Sequence, residues 1–364
     1  MRKLFKKYPV LCISALCALI SMIFVLPDAQ YADYIDLQVI CLLFSLMAVI
    51  QGFQSLGIFN RLAGVMLKKI RTLRGLYLIL VYLPFFTSML VTNDVALITF
   101  VPFALFMLKL SGGDKYKIQV IVLQTIAANI GSMFTPIGNP QNLYLYTNYH
   151  LEFGYFMSVT LIPVVLSGIL LFFGQYLLPK QTIEVQTPQS EPFASCKMAL
   201  YTLLFISCLL TVLHVLPYGI PTALVVIGLL FTDRKLLTKV DYALLLTFVC
   251  FFIFSGNLAR LSWVESLLRP LLETQPILVS ALTSQVISNV PAAILLSPFT
   301  DNAKGLLLGT NIGGLGTIIA SLASVISFQF YSKEADAQVG RYMGYFTVLN
   351  FALFAILMLL SYII

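Results

Sequence analysis

Charge is what this chain has least of. Only 10% of its 364 residues are Asp, Glu, Lys or Arg, whereas 59% are hydrophobic. Mean hydropathy is +0.94. A soluble domain keeps roughly a quarter of its residues charged, so this chain cannot cover a water-facing surface. Histidine is nearly absent, with two copies, and tryptophan occurs once. The six cysteines (Cys12, Cys17, Cys41, Cys196, Cys208, Cys250) all fall in apolar segments with no CxxC pair, which excludes a disulfide or metal framework and leaves small core residues. A membrane-embedded enzyme needs a catalytic constellation at depth, such as Ser with His or two acids. His150 and His214 stand at crossing ends, expected outside and with no assigned role. Asp94 is the one carboxylate deep in an apolar segment, so that class is disfavoured.

What is present is a succession of apolar runs of about twenty residues, the length of a helix crossing a ~30 Å hydrocarbon core. The chain therefore reads as an all-α polytopic membrane protein. The net charge of +7 is not a nucleic-acid signal. Its bases cluster in "MRKLFKKYP", in "NRLAGVMLKKIRTLRG" (Arg61, Lys68, Lys69, Arg71, Arg74) and in "DRKLLTKVD" near residue 235. By the positive-inside rule all three face the cytoplasm, placing the N-terminus inside and the C-terminus outside an integral cytoplasmic (inner or plasma) membrane. The first apolar stretch lacks a small-x-small cleavage site and is read as a retained anchor helix rather than a signal peptide.

The predicted path has two halves. In residues 1–178, crossings 8–26 and 36–56 precede an amphipathic stretch at 57–75. A hairpin over 76–110 then dips in and returns, followed by a broken helix over 118–147 and a crossing at 154–178. Residues 179–195 form a polar cytoplasmic linker, "PKQTIEVQTPQSEPF". In residues 196–364, crossings 196–213, 217–231 and 241–256 lead through an amphipathic stretch to a hairpin at 275–300. A broken helix at 303–331 and a crossing at 342–363 complete it.

Features recur in order. Gly-x-x-x-Arg-Leu occurs at Gly57, Arg61, Leu62 and again at Gly256, Arg260, Leu261, where Trp263 with Arg260 is expected to anchor an interfacial helix. An asparagine at the kink of an interrupted apolar block follows each, Asn93 and then Asn289. A glycine-rich broken crossing follows each of those: "GSMFTPIGNPQN" and "GTNIGGLGT". One extra crossing precedes the second copy, so parity inverts it. Paired discontinuous helices in inverted repeats are the sequence signature of a secondary transporter, with the site where the breaks meet.

Non-helical backbone survives at membrane depth only where it is buried in protein or lines a wet cavity. A break exposes half-helix N-termini, suited to an anion, and unwound carbonyls, suited to Na+. The candidate substrate- or ion-binding residues are therefore the breaks. The first tip offers Thr92, Asn93 and Asp94; the first broken helix offers Thr135, Pro136, Gly138, Asn139, Pro140 and Asn142. The second tip offers Ser288, Asn289, Val290 and Pro291; the second broken helix offers Thr310, Asn311, Gly313, Gly314 and Thr317, with Gly131, Gly309 and Gly316 lending backbone freedom. Asp94 reads either as a cap on the helix beginning "VALITFVP" or as a proton or cation site. A channel would need a continuous polar pore face, whereas these groups concentrate at four breaks.

Through "VTNDVALITFVP", "GSMFTPIGNPQN", "SNVPAAILLSP" and "GTNIGGLGTIIASLAS", spread over nearly the whole chain, the sequence resembles the ion transporter superfamily. That group includes arsenite permeases, citrate and dicarboxylate–sodium symporters, and NhaD-type antiporters. The resemblance implies a scaffold and a mobile transport domain moving by an elevator-like shift, with Ser-Asn-Thr tips holding carboxylate and Na+ in the dicarboxylate arm. Here both tips depart at the third position, Asp94 and Val290, and the Thr-Asn-Asp tip is closer to the arsenite-permease arm.

The expected function is secondary transport of a small anion, a carboxylate or inorganic oxyanion, coupled to H+ or Na+. Arsenite or metalloid efflux and Na+/H+ antiport are the alternatives. No cofactor is expected beyond the coupling ion, no metal site is assigned apart from Na+ near Asn93 and Asn289, and no nucleic-acid partner is expected. The partners are a small anionic solute, the lipid bilayer and, by analogy with scaffold-and-elevator designs, a second copy in a homodimer.

Overall fold

The computed structural model describes residues 8–58, 61, 65, 70–183 and 195–363. The first basic cluster, Leu62, Lys68, Lys69 and most of the polar linker lie outside the described residues. Among those described, helices dominate and the only extended pairing is an isolated bridge between Thr72 and Thr182.

In chain order the α-helices are α1 (Pro9–Phe24), α2 (Leu37–Ser55), α3 (Leu73–Thr87), α4 (Asn93–Leu110), α5 (Lys117–Ser132), α6 (Pro140–Asn148), α7 (Phe153–Phe173) and α8 (Ser195–Val212). They continue as α9 (Gly219–Thr232), α10 (Tyr242–Ala259), α11 (Ser262–Thr274), α12 (Pro276–Ile287), α13 (Asn289–Leu296), α14 (Ala303–Gly313), α15 (Leu322–Tyr331) and α16 (Val339–Ser361). Among the described residues five segments are long and apolar enough to cross a membrane: Ala29–Ser55, Asn93–Leu110, Phe153–Leu177, Tyr242–Ala259 and Val339–Ser361. Shorter apolar helices, α3, α12, α13 and α15 among them, sit beside them.

Helix starts follow local chemistry. Asp36 accepts from the Val39 amide (3.0 Å), Asp241 from Leu244 (3.0 Å), Asn139 from Asn142 (2.8 Å) and Asn302 from Gly305 (2.8 Å), each satisfying a donor that its helix leaves unpaired. Pro84 inside α3 removes the amide that would bond the Leu80 carbonyl. Gln124 on α5 replaces it, its Nε2 donating to Leu80 O at 2.8 Å and to Phe100 O at 3.2 Å, so one buried side chain ties both arms of the first hairpin to α5.

Packing is reciprocal between the halves. α3 lies along α5, and α12 lies along α14; α4 packs on α15, and α13 packs on α6. Each hairpin therefore sends its first arm to the interrupted helix of its own half, while its second arm packs on interrupted helices of both halves. Around these units α1 packs on α10, and α8 and α9 pack on α2.

Two expectations are refined. The linker is exposed over residues 179–182 but does not leave the fold at once: Leu73 N donates to Gln181 O (2.8 Å), Ile183 N donates to Arg71 O (3.0 Å), and Ile183 is buried. The chain thus stays docked against the start of α3 through residue 183, because pairing satisfies backbone groups that would otherwise be left without partners. Trp263, expected to anchor an interfacial helix together with Arg260, is exposed at the start of α11, and Arg260 has a further partner. It pairs with Asp28 (2.8 Å) at the end of α10.

Candidate functional site

The four interruptions meet. α5 ends at Ser132 and α6 starts at Pro140; α14 ends at Gly313 and α15 starts at Leu322. Between them Asn139 Nδ2 donates to Asn311 Oδ1 (3.2 Å), and Asn311 Nδ2 donates to Asn142 Oδ1 (2.6 Å). On the other side Ser321 Oγ donates to Asn129 Oδ1 (3.1 Å), and Asn129 Nδ2 donates to Ser324 Oγ (3.2 Å). All six residues are buried. An amide buried without partners costs on the order of 1–3 kcal/mol, so such groups are kept only where they find each other or serve a ligand.

The tips join this cluster unequally. Asn93 Nδ2 donates to Asn129 Oδ1 (3.0 Å), and its backbone amide donates to the Gly138 carbonyl (3.1 Å). Ser288 Oγ donates to Ala320 O (3.2 Å). Asn289 uses Oδ1 to accept from Val290 N (2.9 Å) and packs its amide over Gly314, where a Cβ would come within 2.9 Å of Nδ2. Asn93 does the same with Asp94 N (3.0 Å). Ser288 has φ +78° and ψ 156°, a conformation close to glycine's alone, which reverses the chain between α12 and α13 without a spacer residue.

Matching threonines staple each break to its hairpin. Thr135 Oγ1 donates to Met89 O, and Thr317 Oγ1 donates to Gln285 O (3.0 Å). Gln285 goes further: Nε2 donates to Gly313 O (2.7 Å) and Leu315 O (2.9 Å), while Oε1 accepts from Thr317 N (2.8 Å). Those carbonyls are ones an unbroken helix would have satisfied internally. Asn142 Nδ2 performs the equivalent task in the first break, donating to Ser132 O (3.1 Å) and Thr135 O (3.1 Å). Gly131 and Gly313 are where the hairpin arms press closest. A Cβ on Gly131 would overlap the Phe85 carbonyl, and one on Gly313 would sit 2.7 Å from Ser284 Oγ.

Some predicted residues are placed differently. Thr310 turns its hydroxyl back to Leu306 O (2.7 Å) in its own helix. Pro136, Pro140, Val290 and Pro291 are buried at the breaks and shape backbone rather than offer side-chain donors. Asp94 lies in the first turn of α4 but caps nothing: Thr92 is the N-cap, Asn93 takes the Asp94 amide, and the half-buried Asp94 carboxylate has no hydrogen-bond or ion-pair partner among the described residues. His150 and His214 hold left-handed positions (φ +49° and +59°) just past the ends of α6 and α8, and the His214 ring stacks on Tyr146 at 5.2 Å.

Sequence reasoning missed Asn129, Gln285, Ser321 and Ser324. The signal for the first was a repeat in plain view: Asn129-Ile130-Gly131 matches Asn311-Ile312-Gly313, with Thr135 and Thr317 in the same register beyond.

A family model described as citrate transporter matches residues 4–307, most of the chain. The chain belongs to the citrate transporter family. It is a membrane transporter, not an enzyme, with a lipid bilayer around it and a small solute as cargo. Among curated relatives, an uncharacterized transporter of Methanocaldococcus jannaschii is 31% identical over 333 residues, 89% of each chain. The inner membrane protein YbiR of Escherichia coli is 30% identical over 322 residues, 85% of this chain and 84% of that one. A silicon efflux transporter, LSI3 of Oryza sativa subsp. japonica, is 33% identical over 141 residues, 39% of this chain and 28% of that one.

Proposed function

We propose that this citrate transporter family member is a secondary active carrier of a small anion, carboxylate or inorganic oxyanion, in the cytoplasmic membrane. Coupling is to H+ or Na+, and movement is elevator-like between two inverted repeats. The observation that carries this reading is the meeting of four helix N-termini, those of α4, α6, α13 and α15, around one buried cluster of amides and hydroxyls. Three of the N-caps, Thr92, Ser288 and Ser321, spend no side-chain oxygen on the helix amides behind them. Uncapped N-termini carry partial positive charge and free donors, which is what an anion takes. The amides that now bond one another across the halves are the groups that a solute would recruit. Asp94, a carboxyl group at one of these N-termini with no partner among the described residues, is the group assigned to the coupling proton or cation.

A second reading has its own observation. Among the described residues no Lys, Arg or His is bonded into the cluster, and a relative matched over part of its length is named for silicon efflux. A neutral hydroxylated solute suits amides and hydroxyls as well. The test is uptake by the purified full chain in proteoliposomes, with Na+ and pH gradients imposed separately. Labelled citrate, succinate, sulfate, phosphate, arsenite and silicic acid are the solutes. Saturable, gradient-driven uptake of one of the anions is expected, abolished in Asn93→Ala and in Asn289→Ala at unchanged expression. Wild-type uptake in both variants defeats the paired-tip site; transport confined to arsenite or silicic acid selects the second reading.

A further inference from the structure

Away from the amide cluster, a cavity of about 360 Å³ opens between α10, α6, the end of α13 and the α1–α2 connection. Its lining includes Tyr34, Tyr144, Asn148, Ser255, Gly256 and Arg260, and among the described residues that line it Arg260 alone carries a formal charge. Of its five N–H donors, Nη1 alone is engaged, to Asp28 Oδ2 (2.8 Å) and to Tyr34 OH (3.1 Å). The guanidinium edge formed by Nε and Nη2 has no partner among the described residues, at a side chain 37% accessible.

This wall is built. Gly256 lets the Tyr34 ring lie flat on α10: a Cβ there would meet the ring at 2.5–2.7 Å. At the next residue, buried Asn257 donates to Ser21 Oγ (2.9 Å) and to Tyr31 OH (2.8 Å), and Tyr31 in turn donates to Val25 O (2.5 Å). The connection carrying Asp28 and Tyr34 is therefore pinned to α10 at several points. On the opposite wall Tyr144 and Ser297 share a hydrogen bond of 2.5 Å, which fixes the α6 and α13 sides together. These are two of the four helices whose N-termini meet at the amide cluster.

We propose that this cavity is an anion-reception site, in which Arg260 takes a carboxylate or oxyanion with Asn148 alongside, and Asp28 acts as the resident competitor for the guanidinium. An arginine fork binds such groups in two-point fashion, and its free edge presents positive charge to the cavity, offset in part by Asp28. The inference rests on the anion reading above and places a second station for the same cargo class outside the cluster.

The probe is itself an oxyanion. In full-length protein carrying Asn148→Cys, the labelling rate is measured with the sulfonate-bearing ethyl methanethiosulfonate reagent and with its trimethylammonium counterpart, each as the increment over the parent chain. The anionic reagent is expected to react about tenfold faster, a ratio of the size that local potentials of several kT produce. Arg260→Gln should collapse that ratio and Arg260→Lys should retain it. Asp28→Asn should enlarge it. Arg260→Gln and Asp28→Asn break the same ion pair, so a merely structural bridge would move both the same way. No anionic preference, a preference surviving Arg260→Gln, or parallel shifts in Arg260→Gln and Asp28→Asn would each overturn the site. Labelling does not depend on transport, so the predicted pattern in a chain that carries no anion would sink the carrier reading alone.

Discussion

Asn311 donates to Asn142 across 2.6 Å, and Asn129 donates to Ser324 across 3.2 Å. Each bond runs from the last helical turn before one break to the first turn after the other. The halves are thus sewn together by their interruptions, and the cost of exposing unwound backbone in one is offset by side chains from its counterpart.

If that stitching is cooperative, its energy is measurable. Asn311→Ala and Asn142→Ala should each lower stability by about 1–3 kcal/mol, because each leaves a buried polar group unpaired. The double variant should lose less than the sum, with a coupling of about 1 kcal/mol or more, as expected for residues in contact. Denaturant titration in detergent reads this directly. Additivity within about 0.3 kcal/mol would mean that the bond is incidental.

The two glycines at the hairpin contacts make a steric prediction. Gly131→Ala drives a methyl group into the Phe85 carbonyl, which belongs to backbone and cannot swing aside. Gly313→Ala meets Ser284 and the Ala281 backbone. Overpacking of this kind costs about 1–3 kcal/mol or more, so both variants should accumulate poorly and melt lower. Gly154→Ala on α7, where nothing lies within 4 Å, should be neutral or slightly stabilising. Size-exclusion yield and melting temperature of the three side by side decide it; equal behaviour would remove the close approach from the fold.

Much of this was legible in one chain of letters, and the reasons for the rest are physical. Scarce charge and apolar runs of crossing length lead to an all-helical membrane protein, and the four broken motifs lead to the family. Asn129 escaped because an asparagine two residues before a Gly-Ser pair in an apolar helix carries no local mark, only a distant match to Asn311. Its partners Ser321 and Ser324 lie far along the chain and are chosen by tertiary packing. Gln285 is a single amide side chain in an apolar arm, and its partners at Gly313, Leu315 and Thr317 are brought to it by tertiary packing alone. The docking of Gln181 and Ile183 on Arg71 and Leu73 was hidden for the same reason: a Pro-Gln-Thr stretch reads as solvated unless its backbone finds a distant edge.

A buried cation should make stability respond to acid. Lys117, at the start of α5, has a side chain only 6% accessible. It pairs with Asp336 from the α15–α16 connection and with Asp114 at 3.6 Å. The Lys117 ammonium holds the Asp336 carboxyl below its ordinary value. A depressed carboxyl contributes stability above its unfolded pKa, about 3.9, and loses it as pH falls through the folded one. Asp336→Asn should therefore melt below wild type at neutral pH, and the two curves should converge as pH drops below about 4. Melting curves in detergent across that range test this, and curves that stay parallel would assign the acid response elsewhere.

Asp94 tests the coupling assignment. It stands beside Asn93, whose amide reaches Asn129 in the cluster, so a charge change there is felt where the halves meet. Since its carboxylate has no partner among the described residues, its removal breaks no visible bond, and Asp94→Asn should fold and reach the membrane as wild type does. An asparagine imitates the protonated acid in shape and polarity but cannot release a proton. Solute exchange across equal concentrations should therefore persist in Asp94→Asn, while net uptake loses its dependence on pH. Exchange and pH-jump uptake measured in the same proteoliposomes separate the two functions. A pH profile identical to wild type would leave Asp94 without a part in coupling, and a loss of exchange together with uptake would place it on the solute instead.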